Sequence, residues 1–158
     1  MGMLENLYKD LILEHYKRPR NHGPVEPHTH EEEGFNPVCG DELTLYLDVQ
    51  DGVVRDLGFV GEGCAISQAA ASMMTEAVKG ETVERALELA QAFRTMVQGG
   101  DVDPALGDLQ LLQGISRLHA RVKCATLPWV TLERALAKEA DASRAVAAGR
   151  SASDGVVE

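Results

Sequence analysis

Apolar residues along the chain change their spacing near residue 64, and the change divides two kinds of element. Residues 4 to 17 place Leu4, Leu7, Tyr8, Leu11, Ile12 and His15 on one helical stripe, and Pro19 stops it. Residues 19 to 37 carry four prolines and two glycines, which predicts a long irregular connection. From Glu42 to Val49 the period becomes two: Leu43, Leu45, Leu47 and Val49 alternate with Glu42, Thr44, Tyr46 and Asp48. Asp51-Gly52 is a hairpin signal, and Val53 to Val60 reads as the returning strand. The residues just before Cys39 are a candidate third strand.

From residue 64 the pattern is helical. Ile66, Ala69, Ala70, Met73 and Ala77 form one stripe ended by Gly80. Met73 and Met74 read as core. Thr82 is placed to cap a helix carrying Ala86, Leu87, Ala90, Phe93 and Val97, which stops at Gly99-Gly100. Residues 101 to 107 read as a linker, and Leu109, Leu112 and Ile115 as a short helix. A last helix is expected from about Thr126 to Glu139, with Pro128 in its first turn, where proline is tolerated. After Asp141 the chain is mostly small and polar and reads as a frayed tail. The expectation is an α+β fold: a small antiparallel sheet of about three strands with helices packed on it, one domain over residues 1–140 and a tail over 141–158.

Composition narrows the classes. A chain of 158 residues can bury a core without disulfides. Aromatics are only 4%, so that core is aliphatic. The net charge of −10 argues against a general nucleic-acid or anionic-membrane binder and suits docking onto basic partners. No apolar run approaches the roughly 20 residues of a membrane span. The first residues lack the layout of a secretion signal. Three cysteines, an odd number, argue for metal or redox chemistry in a reducing cytoplasm rather than for a disulfide framework.

Scattered cysteines alone read as small buried hydrophobes. Their settings change that reading. Cys39 lies in the turn sequence Asn36-Pro-Val-Cys-Gly-Asp41. Cys64 lies in Gly61-Glu-Gly-Cys-Ala-Ile-Ser67, where a strand gives way to a helix, and Gly61-x-Gly63 reads as the bend that lets it face a pocket. Cys124 precedes the helix that Thr126 and Pro128 announce. Helix starts favour thiolates. Asp41, two residues from Cys39, can point into the same pocket. Three thiolates and a carboxylate suit Zn²⁺, and the same set could hold one edge of an iron–sulfur cluster. With zinc, such a site carries about −2.

These three cysteine motifs, the third being Arg121-Val-Lys-Cys-Ala-Thr-Leu-Pro-Trp129, resemble those of the IscU/SufU/NifU-N-terminal iron–sulfur cluster assembly proteins. The segment Leu11 to Gly23 is also similar to that family's N-terminus, so the resemblance covers roughly residues 4 to 138. It is closer to the SufU type: Lys123 stands where IscU proteins have histidine, and the stretch from Gly100 to Arg117 looks like the SufU insertion. The resemblance implies the metal ligands Cys39, Asp41, Cys64 and Cys124 and implies zinc among them. It implies that a SufS-like cysteine desulfurase hands persulfide sulfur to Cys39 for downstream cluster-assembly machinery or apoproteins. The alternative it implies is a scaffold holding iron or a transient [2Fe–2S] cluster. A third possibility is a zinc-stabilised binding module without sulfur chemistry.

The histidines read differently. His28-Thr-His30 with Glu31 to Glu33 is expected to be a solvated loop rather than a metal cluster, and His15 a packing residue. His119 is an alternative ligand that could swing towards Cys124. Arg121 and Lys123 are expected to offset the charge of the site or to touch a partner.

Overall fold

The computed structural model describes the backbone of residues 2–147 and the side chains of residues 8–137. Helix α1 spans Gly2–Lys17. A three-stranded sheet follows, with β1 His30–Asn36, β2 Asp41–Gln50 and β3 Val53–Glu62 in the order β1-β2-β3, antiparallel throughout. Then come α2 Ala65–Val78, α3 Val83–Val97, a 3₁₀ segment Pro104–Arg117 and α4 His119–Ala147. The α+β expectation holds. Strand β2 buries every second residue, as its alternation requires. Leu45, Leu47, Leu57 and Phe59 form the inner face, and α2 and α4 cover it with Met74, Trp129, Leu132 and Leu136.

The 3₁₀ segment begins at Pro104, inside the expected 101–107 linker, and two further boundaries that bear on the site differ from the sequence reading. Strand β1 occupies the end of what reads as irregular chain, so His30 to Glu33 are strand residues and not a solvated loop. Its inward positions are His30, Glu32 and Gly34 rather than an apolar series, which hides the period. Glu32 is tolerated there because Arg134 of α4 meets its carboxylate at 3.3 Å and also donates to the Glu33 carbonyl. Such an inward charge blunts an exposed strand edge. Gly34 is the point of closest approach between β1 and α4: a Cβ there would collide with Thr131 Oγ1. The segment before β1 is pinned as well. Gly23 and Thr29 donate to the Phe59 and Leu47 carbonyls at 2.8 and 2.7 Å. His28 packs edge-on to Tyr46, with its Nδ1 2.8 Å from the Val25 carbonyl.

The second difference is α4, which begins at His119 rather than near Thr126 and runs to Ala147. Pro128 therefore lies inside the helix and withholds the N–H that would reach the Cys124 carbonyl. The tail expected from 141 is helical as far as Ala147; residues 148–158 lie outside the described residues.

His15 is buried, with Nδ1 2.7 Å from Ser72 Oγ and Nε2 3.8 Å from Glu76. Burial lowers its pKa below the ordinary histidine value, Arg20 lowers it further, and Glu76, Glu14 and Asp108 oppose the shift. The unfolded chain then takes up a proton that the folded chain resists, so this contribution to stability is lost as pH falls below about 6.5. Thermal melts of metal-free protein should show a drop in midpoint below that pH. His15→Gln should flatten it.

Candidate metal centre

The β1–β2 turn, the end of β3 and the second turn of α4 converge at one end of the sheet. Cys39 is exposed in the turn, which Gly40 closes by donating to the Asn36 carbonyl at 2.8 Å. Asp41 opens β2 yet is only 1% exposed. Cys64 is the N-cap of α2, its sulfur accepting the Ser67 N–H at 3.5 Å. Cys124 is fully buried within α4. Its placement corrects the expectation that it sits before a helix: no free N–H groups of a helix start surround it.

Ligand atoms of Cys39, Asp41 and Cys124 all lie within 4.8 Å of one another. The Cys124 and Cys39 sulfurs are 3.5 Å apart. Cys64 stands just beyond this trio and is tied to it through its backbone. Its N–H donates to Asp41 Oδ1 at 3.1 Å, and its thiol is among the groups that raise the Cys124 pKa. The four expected residues therefore share one pocket, three of them in the tightest group. Space for the Asp41 carboxylate comes from Gly63, where a Cβ would sit 2.6 Å from Oδ1.

The electrostatics favour a cation. Burial pushes the Cys124 thiol far above its ordinary range, and bonds to Cys39, Asp41 and Cys64 add to the shift. Without a cation that proton stays; a divalent metal replaces it by drawing charge from three sulfurs and a carboxylate. The donor set fits zinc, with three soft sulfurs and one oxygen for four positions. Arg121 lies one helical turn before Cys124. The neighbouring Cys124 thiol, and with it the charges of Cys64, Cys124 and Cys39, raises the Arg121 pKa. Arg121 thus takes the charge-offsetting place expected of it. Lys123 is exposed on α4, and His119 is exposed at its start, outside the tightest group.

Two supporting residues escaped the sequence reading. Asn36 is buried, donates from Nδ2 to Asp41 Oδ2 at 3.4 Å, and accepts the Val38 N–H at 3.3 Å, so it ties the carboxylate to the Cys39 turn. Ser67 donates its hydroxyl to the Cys64 carbonyl at 3.1 Å. The Asn-Pro pair opening the first cysteine motif is the signal that could have drawn attention to Asn36.

Asp41 consequently has a structural duty beside any metal. Asp41→Ala leaves the partly buried Cys64 N–H without its acceptor, which costs about 1 kcal/mol, the lower end of the penalty for an unsatisfied buried group. Chemical denaturation of metal-free protein should show a loss of about 1 kcal/mol, with a smaller one for Asp41→Asn, whose amide oxygen still accepts the Cys64 N–H.

Residues 7–138 match the family model for the NifU-like N terminal domain. The zinc-dependent sulfurtransferase SufU of Bacillus subtilis is 46% identical over 138 residues, covering 86% of this chain and 93% of that protein. The iron–sulfur cluster assembly scaffold protein IscU of Streptococcus pyogenes is 39% identical over 145 residues, covering 90% of each chain. Among solved structures, the SUF-system cluster assembly scaffold protein of Fervidobacterium islandicum superimposes with a TM-score of 0.79 at 39% identity, covering 82% of this chain and 96% of that one. With the matched model spanning most of the chain, this protein belongs to the NifU-like N terminal domain family.

Proposed function

We infer that this protein accepts persulfide sulfur on Cys39, at a zinc site completed by Asp41, Cys64 and Cys124, and passes it on for iron–sulfur cluster assembly. The observation that carries the reading is the unequal exposure of the thiols. Cys39 is exposed in a turn, Cys64 is half-buried at a helix cap, and Cys124 is fully buried 3.5 Å from the Cys39 sulfur. One donor can leave the pocket while the others stay anchored to α2, α4 and β2. The 46%-identical relative named a zinc-dependent sulfurtransferase supports the same reading.

Bound zinc supplies Lewis acidity that keeps the thiols deprotonated, with no redox chemistry of its own. The Cys39 thiolate turns outward and attacks the outer sulfur of a persulfide on a SufS-like cysteine desulfurase. A sulfur–sulfur bond forms to Cys39, the bond to the donor cysteine breaks, and the donor leaves as a thiolate. Arg121 remains over the pocket and offsets the anionic sulfurs. Asn36 holds Asp41 in place as the turn moves. The domain over residues 1–140, working in a reducing cytoplasm, is the unit that does this; its product goes to cluster-assembly machinery or apoproteins.

The test is the metal content and visible spectrum of protein purified without oxygen. One zinc per chain and no colour supports sulfur transfer. A brown protein with iron and sulfide would overturn it in favour of a scaffold, the role named for the IscU relative.

A further inference from the structure

Helices cover only one face of the sheet, and its outer face stands open beside the Cys39 turn. The row nearest the turn runs Phe35, Glu42, Glu62 across the three strands, and the next runs Glu33, Thr44, Val60. Phe35 is 59% exposed, and Val38 in the turn itself is 76% exposed. Together with Thr44 and Val60, Phe35 lines a shallow concavity of about 700 Å³ with Glu33, Glu42 and Arg134 at its rim. An apolar patch with a polar rim marks an interaction site.

Two carboxylates on this face, Glu42 and Glu62, do not serve the fold. Glu42 and Glu62 are directly opposite one another in the β2–β3 register, an arrangement that destabilises a sheet. Among the described residues neither carboxylate has a cationic partner. A complementary surface brings lysine or arginine to the two glutamates and an apolar side chain to Phe35. A second copy of this chain would oppose acid to acid, as would nucleic acid. The patch is continuous with the turn that carries the accepting thiol.

The geometry points to this face as the docking surface for the sulfur donor, whose matching surface is cationic around an apolar anchor. The inference rests on the sulfur-acceptance reading and adds where and how the donor is held. Docking at Phe35, Glu42 and Glu62 sets Cys39 at the edge of the contact, where it can reach the donor's persulfide. Charge complementarity of this kind acts on encounter and fades with salt.

The experiment measures sulfur transfer from a SufS-type cysteine desulfurase, with cysteine supplied, as a function of the concentration of this protein and of salt. Glu62→Lys replaces a repulsive cross-strand pair with an attractive one, so the variant should melt no lower than wild type and keep its zinc. Its half-saturating concentration should rise about tenfold (about 1.4 kcal/mol) with the maximal rate unchanged, and its salt dependence should be shallower. Phe35→Ser should raise the half-saturating concentration and leave the salt dependence as in wild type. Asp101→Lys, the same charge change in the connection after α3 and outside this face, should leave both at wild-type values. If Glu62→Lys and Phe35→Ser saturate like wild type while Cys39 still acquires persulfide, the docking face is wrong and the sulfur reading survives. If Asp101→Lys weakens transfer as much as Glu62→Lys, only overall charge matters and the assigned face is wrong. If wild-type Cys39 never acquires persulfide, the docking inference falls together with the reading beneath it.

Discussion

Cys124→Ser is expected to abolish tight zinc binding and with it the stabilisation that the metal gives. The sulfur is fully buried in α4, 3.5 Å from Cys39. A serine hydroxyl at that position is a poor zinc ligand and keeps its proton at neutral pH. A ligand present at about 1,000 times its dissociation constant stabilises a folded protein by about 4 kcal/mol. For a domain of this size each kcal/mol shifts the melting point by about 2–4 °C. Wild-type protein should therefore melt roughly 8–16 °C higher with zinc than after chelation. In Cys124→Ser the two melts should nearly coincide. A variant that still binds one zinc per chain and keeps the full gap would remove Cys124 from the ligand set. The core itself should survive, because Trp129, Leu132 and Leu136 bury α4 independently of the metal.

Cys39→Ser should separate chemistry from structure. The side chain is exposed in a turn, so little packing is lost. A serine hydroxyl is not ionised near pH 7 and is a poor nucleophile towards a persulfide sulfur. Sulfur acceptance should fall by at least about a hundredfold, a loss of at least about 2.7 kcal/mol in the barrier. Without zinc the variant should melt within about 0.5 kcal/mol of wild type, as surface substitutions do. Both are checked with single-turnover transfer assays and paired thermal melts. Wild-type transfer rates in this variant would place the nucleophile elsewhere.

The hairpin of β2 and β3 was legible because its inner face is a plain apolar alternation closed by Asp51-Gly52. Strand β1 was only partly legible. Its inward positions hold His30, Glu32 and Gly34, and the reasons they work lie in α4, at Arg134 and Thr131, about a hundred residues away. Local pattern cannot report a partner that distant. The start of α4 was misjudged for a related cause. Pro128 reads as a first-turn residue, but packing of α4 on β1, α2 and α3 carries the helix straight through it. The earlier start puts Cys124 in the second turn of α4 instead of before the helix, and it explains why Arg121, expected near the site from its motif, shares a helix face with Cys124. Cys39 and Cys64 were legible because turn and cap chemistry is local. Asn36 and Ser67 were not singled out, since buried side-chain bonds leave no periodic trace.

The measurement that bears most directly on the central claim is the position of the transferred sulfur. Wild-type protein loaded with zinc is incubated with a SufS-type cysteine desulfurase and cysteine, then alkylated, digested and mapped by mass spectrometry. The exposed-turn thiol should carry the added sulfur, with persulfide on Cys39 and unmodified Cys64 and Cys124. Persulfide found mainly on Cys124, the fully buried thiol, would contradict the assignment and move the protein towards cluster scaffolding.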